Sequence, residues 1–418
     1  MGCVSSSDPR DRTSVRPGRK DGSGTLPLEG VLVADFSRVL AGPMTTMTLA
    51  DLGATVVKVE RPDGGDETRA WGPPWTKSSS SYFEAANRSK LSVALDLRAP
   101  SDLGLARELV KRADIVVENF RVGTLARFGL GFADVQRENP GVVYCSITGY
   151  GSGAGASLPG YDFIVQAIGG LMSITGDDNG EPYKAGVALV DVLTAKDAVI
   201  GILAALRARE SCGHGQHVEV NLLSTLLGSL ANQASGYLTT GESPARMGNR
   251  HPSIAPYETL RCRDGLLAVA CGNDGQFRRL TMALGTPAAA TDPRFATNAA
   301  RVANRTALVD ILEAELVRAD AETWERALIA ADVPAGRVGN VASGFERAEA
   351  LGLAPAVDIG TDNPRQVAHP IQYSAMTPRK PTPPPRLGEH NGLVRGWLAE
   401  GGSTLPTLVG KVKKPGNR

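Results

Sequence analysis

Between Leu28 and Ile147 the chain repeats one pattern, a short β-branched run followed by a helical stretch, and this repetition limits the folds open to it more than any other feature. The runs are Val31 to Phe36, Ala54 to Val59, Leu91 to Leu95, Ile115 to Glu118 and Val142 to Ile147, each bounded nearby by Gly, Pro, Asn or Asp. Segments such as Ser101 to Arg112 between them read as helices, so the alternation predicts βαβ units around a mostly parallel sheet. A long helix from Asp191 to Glu210 follows, ending before Gly213 and Gly215, then a strand from His217 to Val220 and a helix from Leu222.

The expected division is a disordered leader over 1–26, the N-terminal part of a large α/β domain over 27–240 and a linker over 241–256 broken by Pro244, Pro252 and Pro256. A small domain is expected over 257–338, and over 339–418 a return segment with the C-terminal part of the large domain. Within the small unit the pattern predicts a strand from Gly265 to Cys271 and helices near Phe277 to Leu284, Ala307 to Val317 and Ala321 to Ala331. Pro378, Pro381, Pro383, Pro384 and Pro385 keep the later stretch extended, so it must lie along something.

Composition removes several classes. The apolar fraction is 42%, the charged fraction 21% and the net charge +1, which gives no electrostatic footprint for nucleic acid. No stretch reaches the roughly 18 apolar residues of a membrane span, and no secretory signal opens the chain, so the expectation is a cytoplasmic protein without a membrane partner. The start Met-Gly2-Cys3-Val-Ser-Ser6 matches an acylation pattern; a chance match in a polar tail is the other reading. Five scattered cysteines form no CxxC and no zinc spacing, so neither a disulfide framework nor a metal site is indicated.

The chain has no GxxxxGK[ST] loop, GxSxG elbow, HExxH motif or GxGxxG after its first strand. Gly149, Gly151, Gly153 and Gly155 follow a strand and read either as a flexible loop or as a phosphate cradle, with Leu158-Pro159-Gly160 ahead of any helix. Asp162 and Asp191 each open an apolar helical segment. As helix caps they would satisfy orphan backbone donors; as carboxylates at a helix start they would stay ionised and available to attack a thioester carbonyl. Arg61, Arg98 and Arg127 lie just beyond predicted elements, where guanidinium groups suit phosphates, although solvated surface arginines are the commoner case.

Taken together, eight ordered blocks resemble the family III CoA-transferases of the CaiB/BaiF type. They are Asp35-Phe-Ser-Arg-Val-Leu-Ala-Gly-Pro43, Leu52 to Pro62, Asn87 to Leu97, Val117-Glu-Asn-Phe120, Gly160-Tyr-Asp-Phe-Ile-Val-Gln-Ala167, Gly186-Val-Ala-Leu-Val-Asp191, Gly213 to Val218 and Arg386-Leu-Gly-Glu-His390. The likeness runs from about Leu28 to Leu398. It implies an interlocked, ring-like homodimer with a Rossmann-like large domain, a smaller α+β domain and an active site between subunits. It also implies a catalytic Asp191 that carries coenzyme A through a mixed anhydride and an aspartyl-CoA thioester, with Tyr161 and Asp162 beside it. Acyl-CoA and small carboxylic acids are then the substrates, and no permanently bound cofactor is needed. By the same resemblance Leu40, Ala41, Arg61, Leu95, Asp96, Leu97, Arg98, Asn119, Phe120, Arg121 and Arg127 line the CoA site. Leu40 stands where some members have glutamine, and no run of glycines between Ser243 and Tyr257 matches the lid of some relatives.

Two rival readings follow from the same fold. An α-methylacyl-CoA racemase calls for a histidine near Tyr161, and none of the five histidines lies between residues 117 and 161. A tyrosine with an ordinary pKa near about 10 shuttles protons poorly at neutral pH. A non-catalytic CoA-binding protein would be expected to lack Asp191. For substrate choice, Gly248 to Tyr257 looks like its counterpart in members that use succinyl-CoA and a second dicarboxylate such as glutarate. There Arg246, Arg250 or His251 would hold a distal carboxylate, unless they are solvated linker charges.

Overall fold

The computed structural model describes residues 26–360 and 362–400. The expected leader, apart from Leu26, and the acylation-like start lie outside the described residues. Strand and helix alternate as the β-branched runs predict: β1 (Leu32–Asp35), α1 (Ala41–Asp51), β2 (Thr55–Glu60), α2 (Ser81–Glu84), β3 (Lys90–Ala94), α3 (Pro100–Arg112), β4 (Ile115–Glu118), α4 (Phe132–Glu138) and β5 (Val143–Thr148). Next come α5 (Asp162–Ile168), α6 (Leu189–Cys212), β6 (His217–Asn221), α7 (Leu222–Ser229) and α8 (Ala231–Thr240).

The six strands form one parallel sheet in the order β3-β2-β1-β4-β5-β6. Successive side chains go to opposite faces and both faces are apolar. Val33, Val56, Ile115, Val117, Val143 and Cys145 pack with residues of α1, α6 and α7; Ala34, Val57, Val93, Val116 and Tyr144 pack with α3 and the C-terminal Val394 and Trp397. In this strand order the chain reverses direction across the sheet between β1 and β4. The loops that follow these two strands therefore part there and leave a crevice at their carboxyl ends.

A separate core is built from β7 (Tyr257–Arg261), β8 (Leu266–Ala270), α9 (Asp274–Ala283), α10 (Asn298–Ala303), α11 (Arg305–Leu316), α12 (Ala321–Ala330) and β9 (Ala335–Arg337). Its three strands pair antiparallel, and Asn273, Thr297 and Asp320 cap α9, α10 and α12 with their side chains. After α13 (Val341–Ala350), β10 (Ala356–Val357) and β11 (Gln366–Val367), the proline-rich stretch runs back along the first body. Arg379 donates to the carbonyls of Gly53 and Ala54, Ser89 N donates to the Thr382 carbonyl at 3.1 Å, and Arg69 reaches the Pro385 carbonyl at 3.1 Å. The last helix among the described residues, α14 (Asn391–Glu400), seats on β3, where Asn391 Oδ1 accepts from Ala94 N at 2.8 Å, so residues far apart in sequence complete the large sheet's outer layer. Among the described residues no helix is long and apolar enough to cross a membrane.

Candidate active site

The crevice predicted by the strand order contains a cavity of about 150 Å³. It is lined by Arg38 to Ala41 after β1, Asn119 to Val122 after β4, the glycine-rich loop after β5, Tyr161 and Asp191. The loop is an Ω-shaped excursion closed at its neck: a Cβ on Gly149 would stand 2.6 Å from Gly160 Cα, so only two glycines allow the two backbones to meet. Its body forms a wall of the cavity.

Two helices begin at this cavity. Both α1 and α6 follow the carboxyl edge and run back across the sheet, and Thr45 of α1 donates to the Ala195 carbonyl of α6 at 3.3 Å. Ala41 and Asp191 lie one turn upstream of that contact on their respective helices. The first hydrogen bond at the start of α1 is Met44 N to the Leu40 carbonyl, 2.8 Å, which leaves the N–H groups of Ala41 and Gly42 ahead of the helical ladder, and Pro43 has none. Gly42 is required by packing, since a Cβ would lie 2.2 Å from Ser37 Cβ.

The approach to α1 is strained. Val39 has φ of 69°, left-handed backbone that a β-branched residue avoids at a cost of about 1–3 kcal/mol. Held conformations of this sort are found where geometry matters more than stability.

Neither Asp162 nor Asp191 caps its own helix, the first of the two roles that the sequence left open for them. α5 is preceded by Tyr161 and α6 by Ala188, neither with a side-chain cap, and Asp191 is the third residue of α6. Asp162 instead caps the other helix: its Oδ1 accepts from Val190 N at 2.7 Å and Asp191 N at 3.1 Å. Gln166, one turn on, donates to Asp162 Oδ2 at 2.6 Å and accepts from Ala185 N at 2.8 Å, so α5 grips the whole entry to α6. With the cap taken, Asp191 is not held ionised by it. Burial, and then the Asp162 charge, push its carboxyl up to about 7.

Of the expected site residues, the cavity gathers Leu40, Ala41, Asn119, Phe120, Arg121, Tyr161 and Asp191. Asp162 is buried behind Asp191 rather than on the wall. Arg61, the segment Leu95, Asp96, Leu97 and Arg98, and Arg127 follow β2, β3 and β4 toward the same edge but do not line this cavity. Arg61 Nε donates to the Gly65 carbonyl at 3.0 Å, and Arg98 N to Asp96 Oδ1 at 3.0 Å. Arg246 is spent on the Asp177 and Gly180 carbonyls and Arg250 on Asp178, away from the cavity.

Two residues escaped sequence reasoning. Arg38 lines the cavity, paired with Glu67 and set 5.6 Å over the Phe120 ring. Its place directly after the first strand was the available signal. Tyr82, on α2, is half-buried, and burial followed by the Asp191 and Asp162 charges pushes its hydroxyl up to about 12. It sits within electrostatic reach of both carboxylates, and nothing in Ser78-Ser-Ser-Ser-Tyr82 announces that. None of the five histidines lines the cavity, and among the described residues no group of three His, Cys, Asp or Glu side chains is placed to hold a metal ion.

A carboxylate pushed up to about 7 that lines one cavity with the first residue of a second helix is an arrangement suited to nucleophilic attack on a carbonyl. The pattern of the family described as CoA-transferase family III matches residues 28–391. The chain is 44% identical over 379 residues to the succinate–glutarate CoA-transferase of Agrobacterium fabrum, covering 88% of this chain and 94% of the relative. It is 38% identical over 376 residues to the succinyl-CoA:glutarate CoA-transferase of Homo sapiens, covering 89% and 86%. The crystal structure of a CAIB/BAIF family protein from Brucella suis superposes with a TM-score of 0.82 at 43% identity, covering 90% of this chain and all of that one.

Proposed function

The chain belongs to the family III CoA-transferases, and from that premise we propose that it moves coenzyme A between two dicarboxylic acids by way of Asp191, with succinyl-CoA as donor and a five-carbon acid such as glutarate as acceptor. The placement of Asp191 in the switch-point cavity, opposite the start of α1, carries this reading. The Asp191 carboxylate attacks the donor thioester carbonyl, forming an acyl–aspartyl anhydride and expelling CoA thiolate. The thiolate attacks the aspartyl carbonyl of the anhydride, releasing the donor acid and leaving aspartyl-CoA. The acceptor carboxylate then repeats both steps in reverse order and regains the free aspartate. One thioester replaces another, so the exchange needs no ATP.

The N–H groups of Ala41 and Gly42 are the donors available to each developing oxyanion. For the distal carboxylate of a dicarboxylate, the cavity wall offers the guanidinium group of Arg121, beside Arg38 in its pair with Glu67, rather than the linker arginines. A second copy of the chain completes the assembly in this reading. α8 and α13 bury no side chain within one chain, and Phe163, Ile168, Ile200 and Leu238 are exposed, which is apolar surface that a partner would cover.

Mass spectrometry of the protein incubated with succinyl-CoA, with hydroxylamine trapping, tests the reading. A labile CoA adduct on the peptide containing Asp191, missing from Asp191→Ala together with at least about 10³-fold of the turnover, is expected. No adduct with succinyl-CoA or other acyl-CoA donors would sink the assignment. Native spectra of the same samples read the assembly, and a mass of one chain would remove the dimer.

A further inference from the structure

The strained valine at the cavity is matched by restraints on both sides of it. Asn119, the first residue after β4, accepts from Arg38 N at 2.9 Å through Oδ1 and donates to the Arg38 carbonyl at 2.7 Å through Nδ2. A backbone N–H can only donate and a carbonyl only accept, so this pair of bonds fixes the carboxamide's orientation and commits it to the backbone. Asp66 Oδ1 accepts from Val39 N at 3.3 Å, and Lys58 Nζ donates to the Ser37 carbonyl at 2.8 Å. Residues 37–39 are thus held by three side chains from outside the segment, and each bond goes to main chain. Immediately beyond stand Leu40 and Ala41, the start of α1 and part of the cavity wall.

We propose that Asn119 is a positioning residue: by gripping the Arg38 backbone it keeps Val39 in its left-handed conformation, and that conformation sets where Leu40 and the first N–H groups of α1 stand relative to Asp191. Asn119 lines the cavity, as expected of a residue of the CoA site, with its carboxamide committed to the Arg38 backbone. The positioning role rests on the cavity being the active site, which adduct formation on wild-type Asp191 tests separately.

The test is a cycle of Asn119→Ala, Val39→Gly and the double variant, with kcat, KM for succinyl-CoA and the rate of Asp191 adduct formation as readouts. Without the clamp the valine relaxes and displaces the donors, and kcat and the adduct rate fall about 30-fold, within the range that a displacement near 1 Å produces, while KM stays within about threefold. Glycine reaches positive φ without the Cβ penalty, so Val39→Gly in the Asn119→Ala background restores kcat by about tenfold although no asparagine has returned. A direct contact to coenzyme A predicts the opposite split, a raised KM with kcat kept and no rescue, and that result overturns the proposal. Asn119→Asp keeps the acceptor for Arg38 N but turns a second anionic oxygen on the Arg38 carbonyl; it should behave no better than Asn119→Ala, and wild-type kcat in this variant also overturns the proposal. Should Asn119→Ala fail to fold, the double variant recovers a cooperative thermal transition if the clamp acts through Val39, and a double variant that stays unfolded counts against it.

Discussion

Two groups of buried carboxylates stand at the same edge of the large sheet under opposite conditions. Under β1 to β3, Asp35, Glu60 and Asp66 are interleaved with Lys58, Arg69 and Lys90: Lys90 Nζ lies 3.1 Å from Asp35, Lys58 Nζ 3.0 Å from Asp66, and Arg69 forks onto Glu60 at 2.7 and 2.8 Å. Burial alone would raise all three acids, yet the cations and hydrogen bonds hold each below the ordinary carboxylate range. Under α5 and α6, neither Asp162 nor Asp191 forms an ion pair among the described residues, and Asp191 rises to about 7. The first group is neutralised and serves to fix backbone, including the Ser37 carbonyl and the turn into α1. In the second, one acid is consumed as a cap and its neighbour is left without a cation, which keeps that carboxylate basic and so a better nucleophile.

The sharpest way to break this contrast is to uncompensate the first group. Lys90→Met leaves Asp35 buried beside only the more distant Lys58, and the expected loss of stability is about 3–5 kcal/mol, read from urea unfolding midpoints. A loss under about 1 kcal/mol would mean the cluster is not balanced as described. Removing the carboxylate of Asp191 should do the reverse. Its folded-state pKa lies above its unfolded value of 3.8, so between these the folded chain retains a proton that the unfolded chain has released. Stability therefore falls as pH rises from near 4 to near 7 and stays low above that. Asp191→Asn escapes the penalty, and its advantage over wild type should grow from nothing near pH 4 to on the order of 4 kcal/mol at pH 8. An advantage that is constant with pH would place its origin elsewhere.

The sheet was legible because strands buried on both faces are short β-branched runs, and Val31 to Phe36 or Ile115 to Glu118 cannot bury their side chains in any other setting as simply. Asp191 was legible only through the family blocks, since an aspartate before an apolar helix looks like a cap. That physical reading named the right device and the wrong pair. Asp162 caps a helix 28 residues downstream, and periodicity within a segment carries no information about a bond between segments. The same limit hid the clamp between Asn119 and Arg38, 81 positions apart, and the position of Tyr82. It also explains why Arg61, Arg98 and Arg127, each at the right edge of the sheet, do not meet at one cavity: the edge is six strands wide and the switch point lies between two of them.

The smallest effect is the most informative about the second group. If the charge of Asp162 helps hold the Asp191 carboxyl near 7, then kcat/KM for succinyl-CoA in the wild type should climb with pH and level off above about 7, as the free enzyme's nucleophile ionises. Asp162→Asn removes the charge while its Oδ1 can still accept from Val190 N and Asp191 N. The cap survives but the inflection moves down, by roughly one pH unit or less, because burial is the larger cause and remains. The new amide nitrogen would meet the donating amide of Gln166, now 2.6 Å from Asp162, so the plateau rate should drop a few-fold as the grip on residues 185–191 loosens. The two readouts separate the two roles of one side chain. A lower plateau with an unmoved inflection would make Asp162 a clamp alone and leave burial as the sole reason Asp191 is basic, which erases the electrostatic half of the contrast with the paired acids under β1 to β3.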